Sequence, residues 1–274
     1  MNILGKIRKF VVWTLICFFV SSISVVILYR YVPVYVTPLM LIRCAQQVSR
    51  GEHIRLKHHW VELDDSVSLY MPIAVMASED QRFLEHWGFD FVALRKVVKM
   101  RMDGDKRFGG STISQQTAKN VFLWPAHSWA RKGLEAYFTV LIEVFWGKHR
   151  IMEVYLNSIE MGDGIYGVDA VAWQHFGRPA SRLTRSNCAL IATTLPNPLR
   201  FSSKEPSPYM LRRQSWIMRH MRPIDPFPKK GGNEGETGKK YTFCYLCFAI
   251  CPFFDIFALK NAKNVKQALQ NSLC

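Results

Sequence analysis

The chain is organised around one charged segment, Ser78-Glu79-Asp80-Gln81-Arg82-Phe83-Leu84-Glu85-His86-Trp87-Gly88-Phe89-Asp90. Apolar runs flank this segment on both sides, at residues 72–77 and 91–94. A carboxylate that directly follows a buried run lies at the edge of a core, where partial desolvation suits it to act as a general base. Glu79 has that position. The alternative is a helix end whose acidic side chains are simply solvated.

The composition indicates a globular domain with an anionic partner. The 274 residues allow one large domain, and 49% hydrophobic residues are enough for a core. A formal net charge of +15 favours nucleic acid, anionic lipid headgroups or a phosphorylated substrate as that partner. The seven cysteines are too sparse and irregular up to Cys188 for a disulfide framework.

The N-terminus decides among these partners. Residues 10–29 carry no charge and match a hydrocarbon core of roughly 30 Å, so they predict a transmembrane helix. The alternative is a cleaved signal peptide, which would have a shorter apolar region ending in an Ala-x-Ala-like site. Lys6, Arg8 and Lys9 precede the span, which predicts that residues 1–9 are cytoplasmic and that the bulk of the chain lies outside. A membrane location favours lipids over nucleic acid.

Helical periodicity dominates the rest of the chain. Residues 30–38 contain prolines and predict an extended linker, and residues 39–222 predict one domain that is mainly α-helical. The basic and apolar segment 91–108 fits either a helix in the lipid headgroup region or a cationic helix on the domain surface. We expect an irregular glycine-rich turn at residues 157–167 and no convincing run of strands.

A candidate phosphate site follows at residues 109–120. Thr112 and Gln115 have the spacing of a capping box that starts a helix, and two glycines before them let the backbone approach a ligand closely. A helix N-terminus offers free N–H groups to a phosphate. Three polar residues can share one face of this helix: Gln116, Lys119 and Asn120. The alternative is an ordinary glycine turn before a well-capped helix.

A charged pair lies on the next predicted helix, at residues 130–146. Arg131 and Glu135 are four residues apart and therefore stack on one face of that helix. A plain surface ion pair is the usual meaning of this spacing, and such a pair contributes little to stability.

The composition of the chain changes at residue 223. Residues 223–240 are rich in proline, glycine and lysine, which predicts a linker, and residues 241–259 are largely apolar. Three cysteines there faintly resemble a cluster-binding run: Cys244, Cys247 and Cys251. A membrane-associated or poorly ordered tail is the reading that we favour. We therefore expect residues 223–274 to be dispensable for the chemistry.

Four motifs, in this order, resemble the family 51 peptidoglycan glycosyltransferases. They are Glu79-Asp80-x-x-Phe83-x-x-His86-x-Gly88-x-Asp90, Gly109-Gly110-Ser111-Thr112-Ile113-Ser114-Gln115-Gln116-x-x-Lys119-Asn120, Arg131-Lys132-x-x-Glu135 and Ile151-Met152-Glu153-Val154-Tyr155-Leu156-Asn157. Each motif alone is weak, but four of them behind one N-terminal anchor are strong evidence. No penicillin-binding transpeptidase domain fits after Met221, which indicates the monofunctional type.

The resemblance implies a lysozyme-like helical fold and the polymerisation of lipid II, with the growing glycan as donor and undecaprenyl pyrophosphate as leaving group. Glu79 matches the general base, and Glu135 matches a second essential carboxylate. Lys119 and Arg131 match cations that bind the pyrophosphate, where a divalent cation, Mg²⁺ or Mn²⁺, is a further expectation. Other positions match substrate-binding or site-shaping residues: Asp80, Phe83, His86, Ser111, Thr112, Gln115, Gln116, Asn120 and Lys132. Direct displacement with one base predicts inversion at the donor anomeric carbon.

The resemblance also implies a location and partners. The expected location is the bacterial inner membrane, with a single pass and the catalytic domain on the outer side. The expected partners are lipid II, the growing glycan strand, membrane lipids and proteins of cell division or wall synthesis, with no nucleic acid.

Two other functions fit parts of the same sequence. A lytic muramidase would share the lysozyme-like fold and a catalytic glutamate, but it would cleave glycan and have no use for a phosphate site with Lys119 and Arg131. A non-enzymatic anchored scaffold would use the basic segments to bind partners. The phosphate site therefore favours synthesis.

Overall fold

The computed structural model describes residues 3–102, 110–126 and 128–230, and the cysteines of the tail and Gly109 lie outside these ranges. The described chain is mainly α-helical, as predicted. Its helices are α1 (Ile3–Tyr31), α2 (Pro38–Ser49), α3 (Leu63–Ser66), α4 (Tyr70–Glu79), α5 (Phe91–Met102), α6 (Ile113–Phe122), α7 (Trp129–Phe145), α8 (Gly147–Ser158), α9 (Val168–Phe176), α10 (Arg185–Ala192) and α11 (Pro208–His220). Its strands are β1 (Lys57–His58), β2 (Glu160–Gly162) and β3 (Ile165–Tyr166).

Helix α4 is a core helix of the domain. Its residues 71–77 are all buried, because their sequence is apolar on every side, which is the pattern of a core helix. Helices α10 and α11 pack against α4, and α6 packs against α7 and α8. Glu79 is the last residue of α4, so the charged segment begins where the core helix ends.

Helix α1 both fits a membrane span and packs on the domain. It is the one helix among the described residues that is long and apolar enough to cross a membrane, and its residues 6–20 are exposed. In its second half, the Val26 carbonyl oxygen accepts from Trp146 Nε1 at 2.7 Å. The hydroxyls of Ser22 and Tyr137 lie 2.8 Å apart. The helix is therefore a packing element of the domain as well as a candidate anchor.

The glycine-rich segment 157–167 contains a small hairpin, where we expected an irregular turn. Strands β2 and β3 pair antiparallel, and β1 pairs with β3 in parallel, giving the order β1-β3-β2. Gly164 has a φ of +69°, and a Cβ there would lie 2.2 Å from the Arg55 carbonyl oxygen. Strands this short carry almost no alternating pattern, which is why the sequence did not predict them.

Residues 223–230 pack on the domain, although their composition predicted a linker. Phe227 stacks on Phe83 with ring centroids 6.4 Å apart, and the Lys230 backbone N donates to Asp64 Oδ2 at 3.1 Å. Apolar side chains among prolines are a weak signal in sequence, but they order the backbone once they bury their surface. We call residues 223–230 the C-terminal strap.

Candidate active site

Glu79 is half-buried at the end of α4 and accepts a hydrogen bond on each carboxylate oxygen. Ser78 Oγ donates to Oε1 at 2.9 Å, and Gln116 Nε2 donates to Oε2 at 3.1 Å. Behind these donors, Arg213 Nη2 donates to Ser78 Oγ at 3.3 Å, and the Tyr155 hydroxyl donates to Gln116 Oε1 at 3.2 Å. Each carboxylate oxygen has a second lone-pair site, so Glu79 can still accept a proton from a ligand.

Asp80 joins the charged segment to the next motif. It is buried, accepts from His86 Nε2 at 2.9 Å and accepts from the Ile113 backbone N at 3.0 Å. Ile113 is the first residue of α6, so the Asp80 carboxylate also faces the positive end of the helix dipole. Asp80 and His86 therefore hold the end of α4 against the start of α6.

Ligand atoms of Asp80, His86 and Asp90 lie within 4.8 Å of one another. Asp80 and His86 bond to each other, and Asp90 Oδ1 accepts from Arg82 at 3.2 Å and from the Ala93 backbone N at 2.9 Å. Hydrogen bonds within the segment account for this grouping, so we assign it no metal.

The predicted capping box is present at the start of α6. Thr112 Oγ1 accepts from the Gln115 backbone N at 3.2 Å, and Gln115 Oε1 accepts from the Thr112 backbone N at 3.0 Å. Both side chains are buried, whereas Ser111 before them is exposed. The Thr112 hydroxyl also donates to the Gly88 carbonyl oxygen at 2.6 Å. Gly88 has a φ of +77°, and a Cβ there would lie 2.7 Å from Thr139 Cγ2.

A second charged cluster lies on α7. Glu135 is 3% exposed, its Oε2 lies 2.8 Å from Arg131 Nη1, and its Oε1 contacts Lys132 Nζ. Arg131 is buried too, so the pair that the spacing suggested to be a plain surface ion pair is a buried one. Breaking a buried pair leaves an uncompensated charge and is strongly destabilising. We call Lys119, Arg131, Lys132 and Glu135 the cationic cluster.

Lys119 reaches this cluster from α6. Burial lowers the pKa of Lys119; Glu135 opposes this effect, and the charges of Arg131 and Lys132 add to it. The amine makes no hydrogen bond or ion pair within the described part of the chain. A partly desolvated ammonium without its own carboxylate partner favours binding an anion.

Helix α6 connects the two sites. Gln116, which contacts Glu79, and Lys119, which neighbours Glu135, share one face of the helix. They are roughly 5 Å apart along its axis. Chemically, this face can accept a proton at one end and hold an anion at the other.

Phe83 and Asn120 are not open to a ligand. Phe83 is fully buried, and Lys148 Nζ lies 4.6 Å from its ring centroid. Asn120 is 4% exposed, and its Nδ2 has no hydrogen-bond partner among the residues that the structure describes. Both predicted site residues therefore belong to the interior that supports the site.

Sequence motifs suggested no role for several residues of these networks. Glu143 is buried beside α6, where Ser114 Oγ donates to it at 2.5 Å and Lys148 Nζ pairs with it at 2.7 Å. Tyr155 belongs to the fourth motif, but the resemblance assigned it no role, and none of the four motifs contains Arg213. Apart from Lys148, their partners come from distant segments, so spacing along the chain could not reveal them.

Comparison with known proteins identifies relatives of this chain. Residues 46–222 match the family model described as Transglycosylase. A biosynthetic peptidoglycan transglycosylase from Bacteroides thetaiotaomicron is 55% identical over 238 residues, covering 86% of this chain and 96% of the relative. A protein of the same name from Bdellovibrio bacteriovorus is 49% identical over 220 residues, covering 80% of this chain and 88% of the relative. One from Caulobacter vibrioides is 52% identical over 197 residues, covering 72% and 83%.

The matched region contains the four motifs and both charged sites, from Glu79 to Asn157. The lysozyme-like helical fold that the motifs predicted is the fold of the matched domain. Because the family model and the relatives both cover most of its length, the chain belongs to the Transglycosylase family.

Proposed function

We propose that this chain polymerises lipid II into the glycan strands of peptidoglycan. The growing strand is the donor, the incoming saccharide inverts the donor anomeric carbon, and undecaprenyl pyrophosphate leaves. The names of the relatives support peptidoglycan synthesis. The observation that carries the proposal is that one face of α6 joins the hydrogen-bonded carboxylate of Glu79 to the partly buried cationic cluster that contains Lys119.

Glu79 is the general base of this reaction. The acceptor's sugar 4-hydroxyl loses its proton as its oxygen attacks the anomeric carbon, and a carboxylate within hydrogen-bond reach accepts that proton. Ser78 and Gln116 orient Glu79 through neutral donors, which leaves a lone pair for the substrate. One base is sufficient because the leaving pyrophosphate needs no proton.

The cationic cluster stabilises the leaving group. As the new glycosidic bond forms, the bond to the pyrophosphate oxygen breaks and negative charge develops on the pyrophosphate. Lys119, Arg131 and Lys132 face that charge as preorganised cations. Glu135 pairs with two of them and fixes their direction, so the second carboxylate orients the donor end of the site.

The donor set of the cationic cluster does not fit a divalent cation. Mg²⁺ and Mn²⁺ prefer carboxylate and carbonyl oxygens, and the one carboxylate of the cluster, Glu135, already pairs with Arg131 and Lys132. Three positive side chains would also repel a metal ion. The side-chain cations therefore supply the electrostatic stabilisation, and we derive no step through a metal.

We assign the protein to the bacterial inner membrane, with a single pass and the catalytic domain on the outer side. The support is the apolar helix α1 and the basic residues Lys6, Arg8 and Lys9 before it. Helix α5 adds an exposed face that suits lipid headgroups: Phe91, Val92, Arg95, Lys96, Val98 and Lys99. Proteins of cell division or wall synthesis are the partners that we expect at this membrane.

Incubating the full-length protein with labelled lipid II, and separately with finished glycan, tests this function. We expect polymer from lipid II with the wild-type protein, and far less polymer with the Glu79→Gln variant. Fragments released from finished glycan would indicate a lytic muramidase. A folded protein that turns over neither substrate would indicate a scaffold.

A further inference from the structure

We infer that Tyr155 is a positioning residue for the general base and acts through the amide of Gln116. The inference rests on the proposed function of Glu79. The Tyr155 hydroxyl donates to Gln116 Oε1 at 3.2 Å, and Gln116 Nε2 donates to Glu79 Oε2 at 3.1 Å. The hydroxyl thereby determines which end of the amide faces the carboxylate.

The Gln116 amide needs such a partner. Its carbonyl and NH₂ groups are similar in size, so a half-turn of the amide exchanges an acceptor for a donor. A flipped Gln116 would present Oε1 to the ionised Glu79 and repel it. The flip would also leave the Tyr155 hydroxyl proton without an acceptor among the described residues, and an unsatisfied buried donor is costly.

Burial keeps Tyr155 a donor. The side chain is fully buried on α8, which packs against α6. Burial raises the pKa of Tyr155 well above its usual value, and the charges of Glu79 and Asp80 raise it further. The hydroxyl therefore stays protonated throughout the working pH range. Among the described residues, charged groups beside Glu79 include Asp80, which pairs with His86, and Arg213, which donates to Ser78.

The test is a double-mutant cycle on the full-length protein, with lipid II as substrate and the pH–rate profile as readout. Tyr155→Phe removes one hydroxyl and keeps the ring. We expect kcat to fall roughly 3- to 10-fold with little change in KM, which is the scale of one oriented hydrogen bond. The acidic limb of the profile should move to higher pH, because the ionised base loses a fixed donor. In a Gln116→Leu background, Tyr155→Phe should have no further effect.

Tyr137→Phe is the matched control. It also removes one tyrosine hydroxyl, from the contact with Ser22 of α1, and it should leave the rate and the profile unchanged. A wild-type kcat and profile in Tyr155→Phe would overturn the inference, as would a full Tyr155→Phe effect in the Gln116→Leu background. If Tyr155→Phe does not fold, Gln116→Leu alone must move the acidic limb, and an unmoved limb overturns the inference. If the wild-type protein makes no polymer, the proposed function itself is contradicted.

Discussion

Glu79 and Glu135 have different partners. Glu79 accepts from two neutral side chains, Ser78 and Gln116, whereas Glu135 lies between two cations, Arg131 and Lys132. A carboxylate held by neutral donors can take a proton from a ligand. One that is paired with two cations orients them instead. The partners therefore support separate roles for two residues of the same type.

Substitution of each glutamate by glutamine should separate these roles. Glu79→Gln cannot accept the proton, so turnover should fall by roughly 10²–10⁴-fold while lipid II still binds. Glu135→Gln should also be severe, but its residual activity should keep the acidic limb that ionisation of Glu79 sets. The measurements are pH–rate profiles and lipid II binding for both variants.

Glu85→Gln is the control for this pair of variants. Glu85 belongs to the same charged segment, but it is exposed and pairs with Arg82 at the surface, so its loss should be nearly neutral. Substantial activity with a wild-type pH profile in Glu79→Gln would show that Glu79 is not the base.

The buried part of the Lys119 side chain should make the folded protein less stable, although the same side chain supports activity. Folding lowers the pKa of Lys119, chiefly by burial, so the unfolded chain binds more protons than the native protein and stability rises with pH between the two pKa values. Lys119→Met should therefore raise Tm at neutral pH by roughly 1–4 °C and lose that pH-dependent gain. The same variant should lower turnover by roughly 10²–10³-fold. Thermal unfolding across pH and polymerisation assays measure the two effects.

Lys204→Met is the matched control, because Lys204 is exposed and lies outside both sites. It should change neither Tm nor turnover. Near-wild-type turnover in Lys119→Met would contradict the assignment of Lys119 to the pyrophosphate.

At the scale of elements, helix α6 and the C-terminal strap determine how the motifs meet. Helix α6 carries Gln116 to Glu79 and Lys119 to the cationic cluster. The strap lies behind the charged segment, where Phe227 stacks on the fully buried Phe83. Phe83 is three residues from Asp80 and from His86, so the strap supports the loop that positions the end of α4.

Two truncations should therefore behave differently. A chain ending after Lys230 keeps the strap and should retain polymerase activity, because both candidate sites lie upstream. A chain ending after Arg222 loses Phe227, and the lost burial should cost about 1–3 kcal/mol. Thermal unfolding and polymerisation assays of the two proteins measure the difference.

Phe227→Ala in the full-length chain isolates the contact from the rest of the tail. It should reproduce most of the loss of stability seen after Arg222. Equal stability and activity of the two truncated proteins would show that the strap is dispensable, as the composition of residues 223–274 predicted.

At the scale of the whole molecule, α1 belongs partly to the catalytic domain. Ser22 and Val26 are buried against it, while residues 6–20 are exposed. Deleting residues 1–31 should therefore lower Tm even in detergent, because it removes the acceptor of Trp146 Nε1 and uncovers the surface around Tyr137. Replacing residues 10–17 by another apolar helical sequence should leave Tm unchanged. An equal Tm for the deletion variant and the replacement variant would show that α1 does not stabilise the domain and acts only as a membrane anchor.

Much of the fold could be predicted from local sequence. Helical periodicity predicted a mainly helical domain and helix α7 to within one residue at each end, and the Thr112/Gln115 spacing predicted the capping box that the structure contains. Both signals act over a few residues, where backbone geometry alone sets which side chains meet. The motifs also led to the family, although the roles of the individual site residues stay predictions.

The contacts between distant segments depended on tertiary structure. The Arg131–Glu135 spacing is the same on a surface as in a core, and only the elements packed over α7 make the pair a buried one. The strap, the hairpin and the path from Tyr155 through Gln116 to Glu79 likewise depend on segments far apart in the chain. Whether a side chain is buried, and which residue it contacts, depends on the side chains that other segments pack against it. The local sequence pattern does not contain those segments.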